Sequence, residues 1–378
     1  MFTVVMPVFQ TPNILSLCLD SLTRTITMPT HVILIDDGSP QESKLILERF
    51  AASEHLLCQV TLLCHSESIG CPKSINEGLR ASPADGYIVF TDSDVIFSSG
   101  WQEEVHSTFQ QDAQIGGIGG VLRYPQTGGI QSCGIGYHNY LGRHIFLNNN
   151  PDCLMKMGCF RVQATVFAFF AARADLVRRT GVIDEGFFNG YEDIDFQLRL
   201  RQLGYEIVIN PQIRLYHWEK SNGAHRVFSR RQNLGRFWSK NCALIRDDML
   251  DFLLPQIKRY AQYEKPYIGI DLSEARIDAS AIWTALKEKV SIQRMLDVSA
   301  QCSGNKKLWL PELLSSDFFC VHSPLLFLCD NFTQLTENQY WFGQRRQYCR
   351  EDLIVDIYAN VLPVSQLEFC CWPGSKIR

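Results

Sequence analysis

Tyr87-Ile88-Val89-Phe90-Thr91-Asp92-Ser93-Asp94 sets an unbroken apolar run directly before two carboxylates. Apolar residues without alternation, followed by an acidic turn, predict a strand buried on both faces. On extended backbone, residues i and i+2 point the same way, so Asp92 and Asp94 can face one divalent cation from a strand end. Oxygen ligands of this hardness suit Mg²⁺ or Mn²⁺, which keep positions open for phosphate oxygens. An isolated Asp-x-Asp often marks nothing more than a solvated turn. Its place straight after a buried strand is what gives this one weight.

The same pattern repeats upstream. Thr3–Val8, Val32–Ile35 and Val60–Cys64 read as strands, with helical spacing over Pro12–Leu22, Gln41–Ala52 and Lys73–Arg80 between them. Strands alternating with helices predict an α/β fold whose mostly parallel sheet is covered on both faces. In such sheets ligands bind beyond the carboxyl ends of the strands. Two predicted strands end there in acids, at Asp36-Asp37 and at Asp92-Ser93-Asp94.

Downstream, glycine-dense residues 116–142 read as loops and short strands shaping a pocket. Ala174–Arg179 and Asp193–Gln202 read as helices, the second capped by Gly204, and Glu206–Asn210 as a strand ending at Pro211. Residues 225–240 are basic and partly helical. Beyond about residue 251 the composition changes. Tyr267–Ile270 and Leu325–Leu328 look like strands, and Ala279–Val290 and Leu353–Val361 like helices. A boundary near Gln262 divides the chain into residues 1–262, which hold the motifs, and residues 263–378, a smaller α/β or α+β region of unassigned role.

The 378 residues are 46% hydrophobic and 20% charged, as in a folded globular protein. A net charge of −4 argues against nucleic acid as the partner. The fourteen cysteines include no C-x-x-C pair, which removes the usual zinc spacing. Cys18, Cys58, Cys64, Cys133, Cys153 and Cys159 read as small core residues. The N-terminus lacks a basic leader, and the longest apolar stretch, Val162–Ala172, is too short to span a bilayer. The expected location is the cytoplasm, with peripheral association at the cytoplasmic face of a membrane left open.

Gly190-Tyr191-Glu192-Asp193-Ile194-Asp195 opens a predicted helix. Acids there can serve as caps, but three carboxylates in four residues exceed what a cap needs. Neighbouring acids raise one another's pKa, and a carboxylate so tuned can accept a hydroxyl proton. Asp193 is the candidate base, with Glu192 as a hydrogen-bonding partner to the acceptor or to metal-bound groups.

Taken in order, these pieces resemble the inverting family 2 glycosyltransferases of GT-A fold, and within them the rhamnosyltransferase-like enzymes. The resemblance is carried by Val4-Val5-Met6-Pro7-Val8-Phe9, Ile33–Ser39, Gly70 with Asn76-Glu77-Gly78, and Asp92-Ser93-Asp94. It continues through Tyr124-Pro125 with Gly129-Ile130-Gln131, Gly181–Phe188, Tyr191–Asp195 with Arg199, Gly204-Tyr205, and His217. It runs from about residue 3 to about residue 245.

The resemblance implies a nucleotide-diphospho-sugar transferase with a Rossmann-like sheet. The donor, a UDP- or dTDP-sugar, would be bordered by Pro7, Val8, Phe9, Asp36, Asp37, Gly70, Asn76, Asp92 and Ser93. Asp92, Asp94 and His217 would hold Mn²⁺ or Mg²⁺, and Asp193 would deprotonate a hydroxyl of a glycan or other acceptor. The chain departs from the family pattern at Cys71-Pro72-Lys73, where Lys73 stands in for the arginine often found nearby as a phosphate contact. Arg226, Arg230 and Arg231 are candidates to close over the phosphates. Two other readings compete: a sugar-phosphate nucleotidyltransferase, which Val8–Asn13 disfavours because it is not a glycine-rich basic loop, and a non-catalytic sugar- or protein-binding module.

Overall fold

The computed structural model describes residues 1–10, 12–139, 141–154, 157–218, 224–260, 266–274, 277–298, 310–314 and 320–367, without the side chains of 224–230, 277–278, 297 and 311–312. The chain divides into two compact units. Unit 1 comprises Met1–Ile135 and Pro151–Ile245, and unit 2 comprises Gly136–Asn150 and Arg246–Arg378. This division falls at 245/246 rather than near 262 and passes a segment from the middle of the chain to unit 2. Gln262 itself lies outside the described residues.

Unit 1 opens with β1 (Phe2–Val8), α1 (Pro12–Thr25), β2 (Thr30–Asp36), α2 (Gln41–Ala52), β3 (Cys58–Cys64), α3 (Cys71–Ala81) and β4 (Tyr87–Thr91). After β4 come β5 (Val95–Ile96), α4 (Trp101–Gln111), β6 (Ile115–Arg123) and β7 (Ile130–Ser132). A short ribbon of β8 (Ile135–His138) and β9 (Leu141–His144) leads into unit 2. The chain then returns as β10 (Phe160–Val162), β11 (Phe169–Arg173), α5 (Ala174–Thr180), α6 (Glu192–Gln202), β12 (Glu206–His217) and α7 (Ala224–Asn241).

The sheet order is β10-β12-β6-β11-β4-β1-β2-β3, with β5 paired to β12 and β7 to β6. β3, β2, β1 and β4 run parallel, as do β6 and β12; antiparallel β11 joins the two blocks. Val4, Val32, Val89 and Ile118 are wholly buried, as continuous apolar strands covered on both faces require.

Residues 115–123 form one long buried strand where glycine density suggests loops and short strands. The glycines are there for closeness. A Cβ at Gly117 would meet the Phe170 ring at 2.4 Å, and one at Gly120 would meet Ile213 at 2.8 Å. β12 also runs past Pro211 to His217. The register shifts between Ile209 and Arg214, so the proline sits in an irregularity where no ladder donor is needed.

Among the cysteines read as core, Cys18 and Cys133 are buried, but Cys64, Cys153 and Cys159 are exposed. Cys64 ends β3 and Cys153 lies in a surface turn, so burial was set by position and not by residue type.

Unit 2 contains α8 (Met249–Tyr260), β13 (Tyr267–Asp271), α9 (Ile277–Lys287), β14 (Ile292–Asp297) and α10 (Leu310–Leu313). β15 (Leu325–Cys329), α11 (Gln339–Arg345), β16 (Leu353–Asp356) and β17 (Val361–Pro363) complete it. Its sheet, ordered β14-β13-β15-β16-β17, is parallel except for β17. The helix read over Leu353–Val361 is a strand, a tight turn and another strand. Asp356 accepts from the backbone N–H groups of Tyr358 at 2.9 Å and Asn360 at 3.0 Å, which reverses the chain. Segment 136–150 is anchored by Asn149 donating to Asn360 at 2.9 Å and by the paired contacts of Tyr137 with Asp248.

Candidate active site

The site lies at the carboxyl ends of the unit 1 strands. β4 ends at Thr91 and places Asp92 and Asp94 in the following turn, Asp94 buried and Asp92 half-exposed. β12 brings His217 beside them, because His217 pairs with Val95 of β5 and the Trp218 N–H donates to the Asp94 carbonyl at 3.0 Å. His217 Nε2 lies 3.3 Å from Asp94 Oδ1 and 3.6 Å from Asp92 Oδ2. One ligand atom from each of the three residues falls within 4.8 Å of the others. Two carboxylates and an imidazole suit a divalent cation such as Mn²⁺, and the donor set therefore fits the ion that the sequence implied. Gln131 of β7 contacts both Nδ1 and the backbone carbonyl of His217.

A second group of acids stands at the N-terminus of α6. Asn189, Gly190 and Tyr191 precede it with φ of 49°, 143° and 73°. For Asn and above all Tyr this left-handed backbone is strained, costing on the order of 1–3 kcal/mol each, and such strain gathers at functional sites. The turn presents Glu192 and Asp193 as the first two helical residues. Glu192 is buried, and its carboxyl takes the Gly190 N–H. Burial, then the charges of Asp193 and Asp92, push its pKa up to about 8. Asp193 is half-buried and accepts from the Ile194 N–H at 2.8 Å.

A network holds this helix start in place. Asp195 is wholly buried and is met by Arg199 at 3.0 Å, Lys240 at 2.8 Å and Asn241 at 2.9 Å. Asp184 receives Arg236 and Lys240, and Asn233 exchanges two hydrogen bonds with Phe188. Burial works against ionisation of Asp184, but Arg236 and Lys240 outweigh it and hold the carboxyl far below its ordinary range. The C-terminal half of α7 is thereby bolted to α6 and to the loop before it.

Cys71 opens the first turn of α3. Burial raises its thiol well above the ordinary value, and the charges of Glu192, Asp92, Asp193 and Asp37 add to the rise. The four carboxylates therefore lie within electrostatic reach of one side chain. The sequence marked Cys71 only as a departure from the family pattern.

The remaining predicted donor residues divide into two groups. Pro7 is half-buried and Phe9 exposed at the end of β1, Ser93 is buried between Asp92 and Asp94, and Lys73 is exposed on the first turn of α3. Val8 is buried, and its carbonyl accepts from the Asp37 N–H at 2.9 Å and the Ser39 hydroxyl at 3.0 Å.

The others work inside the protein. Asp36 accepts from the Ser39 N–H at 2.8 Å. Asp37 is met by the Ile69 and Gly70 N–H groups, the Ser68 hydroxyl and His65 at 2.6 to 3.2 Å. Those contacts take up its four lone-pair positions. Burial opposes its ionisation, but these hydrogen bonds outweigh that and lower its pKa. Gly38 is required here: its φ is 72°, and a Cβ would meet the Ser68 nitrogen at 2.6 Å. Asn76 spends both ends of its amide on Ile183 and Glu185. Asp36, Asp37 and Asn76 thus brace the loops around the site, and Gly70, with φ 95°, starts α3. Of the basic residues, Arg231 is exposed on α7, whereas the side chains of Arg226 and Arg230 lie outside the described residues.

Residues 3–167 match the family model described as Glycosyl transferase family 2. That stretch is a family 2 glycosyltransferase domain. The match takes in Asp92, Asp94 and Gln131 and stops short of Glu192, Asp193 and His217. The chain is similar to the glycosyltransferase GlyA of Streptococcus pneumoniae, with 27% identity over 117 residues, covering 30% of this chain and 16% of the relative. It is also similar to the glycosyltransferase GlyG of the same organism, with 26% identity over 130 residues, covering 34% of this chain and 42% of the relative. The chain thus spans less than half the length of either. Among solved structures, the mannosyltransferase PcManGT of Pyrobaculum calidifontis, in complex with GDP-Man and Mn²⁺, superposes with a TM-score of 0.47. It shares 17% identity over 64% of each chain. Among the described residues no helix is long and apolar enough to cross a membrane.

Proposed function

We propose that this protein moves a sugar from a nucleotide-diphosphate sugar to an acceptor hydroxyl by a single displacement that inverts the anomeric carbon. The observation that carries the reading is the gathering of Asp92, Asp94 and His217 within 4.8 Å at the carboxyl edge of the sheet, with the acid pair Glu192 and Asp193 near enough for the Asp92 charge to act on Glu192. A binding module has no need of both a cation site and an adjacent pair of acids.

Asp92, Asp94 and His217 would hold Mn²⁺ or Mg²⁺, which when bound neutralises charge on the leaving diphosphate. The loop after β1, with Pro7 and Phe9, borders the nucleotide. Lys73 and the N-terminus of α3 offer positive charge to phosphate. Asp193 accepts the proton of the acceptor hydroxyl. Glu192, with its pKa near 8, stays protonated at neutral pH, so it donates a hydrogen bond toward the acceptor and spares Asp193 a second adjacent charge. UDP- and dTDP-sugars are the donors to try first, and a glycan hydroxyl is the proposed acceptor class.

The test is a thermal-shift and nucleotide-release screen of the full chain with UDP-, dTDP- and GDP-sugars, with and without Mn²⁺. A donor that binds stabilises the fold by mass action. Asp94→Asn should lose the Mn²⁺-dependent shift. Asp193→Asn should keep it and lose transfer by about 10²–10⁴-fold, the range for a general base. Full transfer by Asp193→Asn, or no response to any nucleotide sugar, would overturn the reading.

A further inference from the structure

We infer that Gln131 is a positioning residue that presents the His217 Nε2 lone pair to the cation. This rests on the reading of Asp92, Asp94 and His217 as a cation site and adds a residue to it. Gln131 sits on β7, which is paired to the end of β6, and is 5% exposed. Its amide touches His217 twice: Oε1 lies 2.7 Å from Nδ1, and Nε2 donates to the His217 carbonyl at 3.3 Å.

The two contacts together fix the chemistry. The His217 carbonyl can only accept, so the NH₂ end of the amide must face it. The amide oxygen must then face Nδ1, and that oxygen can only accept. Nδ1 therefore carries the hydrogen, and Nε2 is left as the nitrogen able to coordinate. Nε2 is also the nitrogen that lies 3.3 Å from Asp94 and 3.6 Å from Asp92. A reversed amide would set its NH₂ against Nδ1–H and its oxygen against the carbonyl, losing both bonds in a buried place. The ring is thus fixed in rotation as well as in tautomer. Metal-bound histidines commonly receive this support from carboxylates or carbonyls, and its loss weakens metal binding by about 10–100-fold. A neutral amide supplies the same acceptor without a third negative charge beside Asp92 and Asp94.

The experiment is a Mn²⁺ titration of the purified full chain, reading free Mn²⁺ by electron paramagnetic resonance, with circular dichroism melts as a check on folding. Gln131→Leu removes the acceptor and should bind Mn²⁺ about 10–100-fold more weakly while Asp92 and Asp94 stay in place. Gln131→Glu keeps the acceptor toward Nδ1 but loses the donor to the His217 carbonyl, and should bind Mn²⁺ more tightly than Gln131→Leu. Asp94→Asn is the control for the cation site itself. If Gln131→Leu binds like the unmodified chain while Asp94→Asn does not, the positioning role falls and the cation site stands. If Gln131→Glu is as weak as Gln131→Leu, the hydrogen-bond acceptor is not what matters, and the inference is again overturned. An unmodified chain that binds no Mn²⁺ removes the cation site and the inference together.

Discussion

Both units carry acids at the carboxyl ends of parallel strands, yet they use them in opposite ways. In unit 1, Asp92, Asp94 and His217 turn their ligand atoms toward one point within 4.8 Å. In unit 2, Asp271 at the end of β13 takes the N–H and hydroxyl of Ser273. Asp356 at the end of β16 takes the N–H groups of Phe332, Tyr358 and Asn360, and Asp330 takes that of Glu274. Acids at a strand end are common to both; aiming side chains at each other, and not at backbone N–H groups, is what sets a reaction site apart from a set of turns. Unit 1 contains both kinds. Asp36 and Asp37 brace loops, while Asp92 and Asp94 turn toward His217.

The largest test of that contrast is a pair of substitutions. Asp94→Asn should reduce transfer on the order of 10³-fold, the scale of losing a group that stabilises developing charge. Asp271→Asn should leave it within about twofold, because its contacts with Ser273 are local. Equal losses in an assay of nucleoside diphosphate release would erase the distinction.

A smaller effect is expected on stability. Asp356→Asn exchanges a carboxylate that accepts from three backbone N–H groups for an amide with one acceptor atom, and should cost about 1–3 kcal/mol in urea unfolding. Transfer by the folded fraction should not change.

A further effect on stability concerns pH. Burial raises Glu192 to about 8, Asp356 to about 7 and Asp352 to about 6. An unfolded carboxyl titrates near 4, so between about pH 4 and 8 the folded chain holds more protons than the unfolded one. Stability should therefore fall as pH rises through this window. Melting curves at pH 5 and pH 8 would measure the fall, and Asp356→Asn should make it shallower. A melting temperature that climbs over the same range would contradict the burial of these acids.

Much of unit 1 was legible because its signals are local. β1, β2 and β4 are unbroken apolar runs closed by turn residues, and Asp92 and Asp94 announce themselves through position alone. β6 was not legible. Its glycines look like loop, and the reason for them, the Phe170 ring and Ile213, lies on other strands. Leu353–Val361 failed for a similar reason: its apolar spacing fits a helix, and only the capping by Asp356 and the left-handed Ala359 break it into a hairpin. His217 was reached through the family resemblance and not through spacing. Gln131 lies 86 residues from the histidine it holds, and no window along the chain joins them. The network of Asp184, Arg236, Lys240 and Asp195 was missed for the same reason.

The irregularity at Pro211 makes β12 behave as a counter. Side chains alternate between sheet faces, so removing one residue between Ile209 and Arg214 would swing His217 away from Asp94 to the far side of the sheet. That segment should accept many exchanges of residue type but no change in its number of residues, and a library of single deletions across 210–213 should contain no active member.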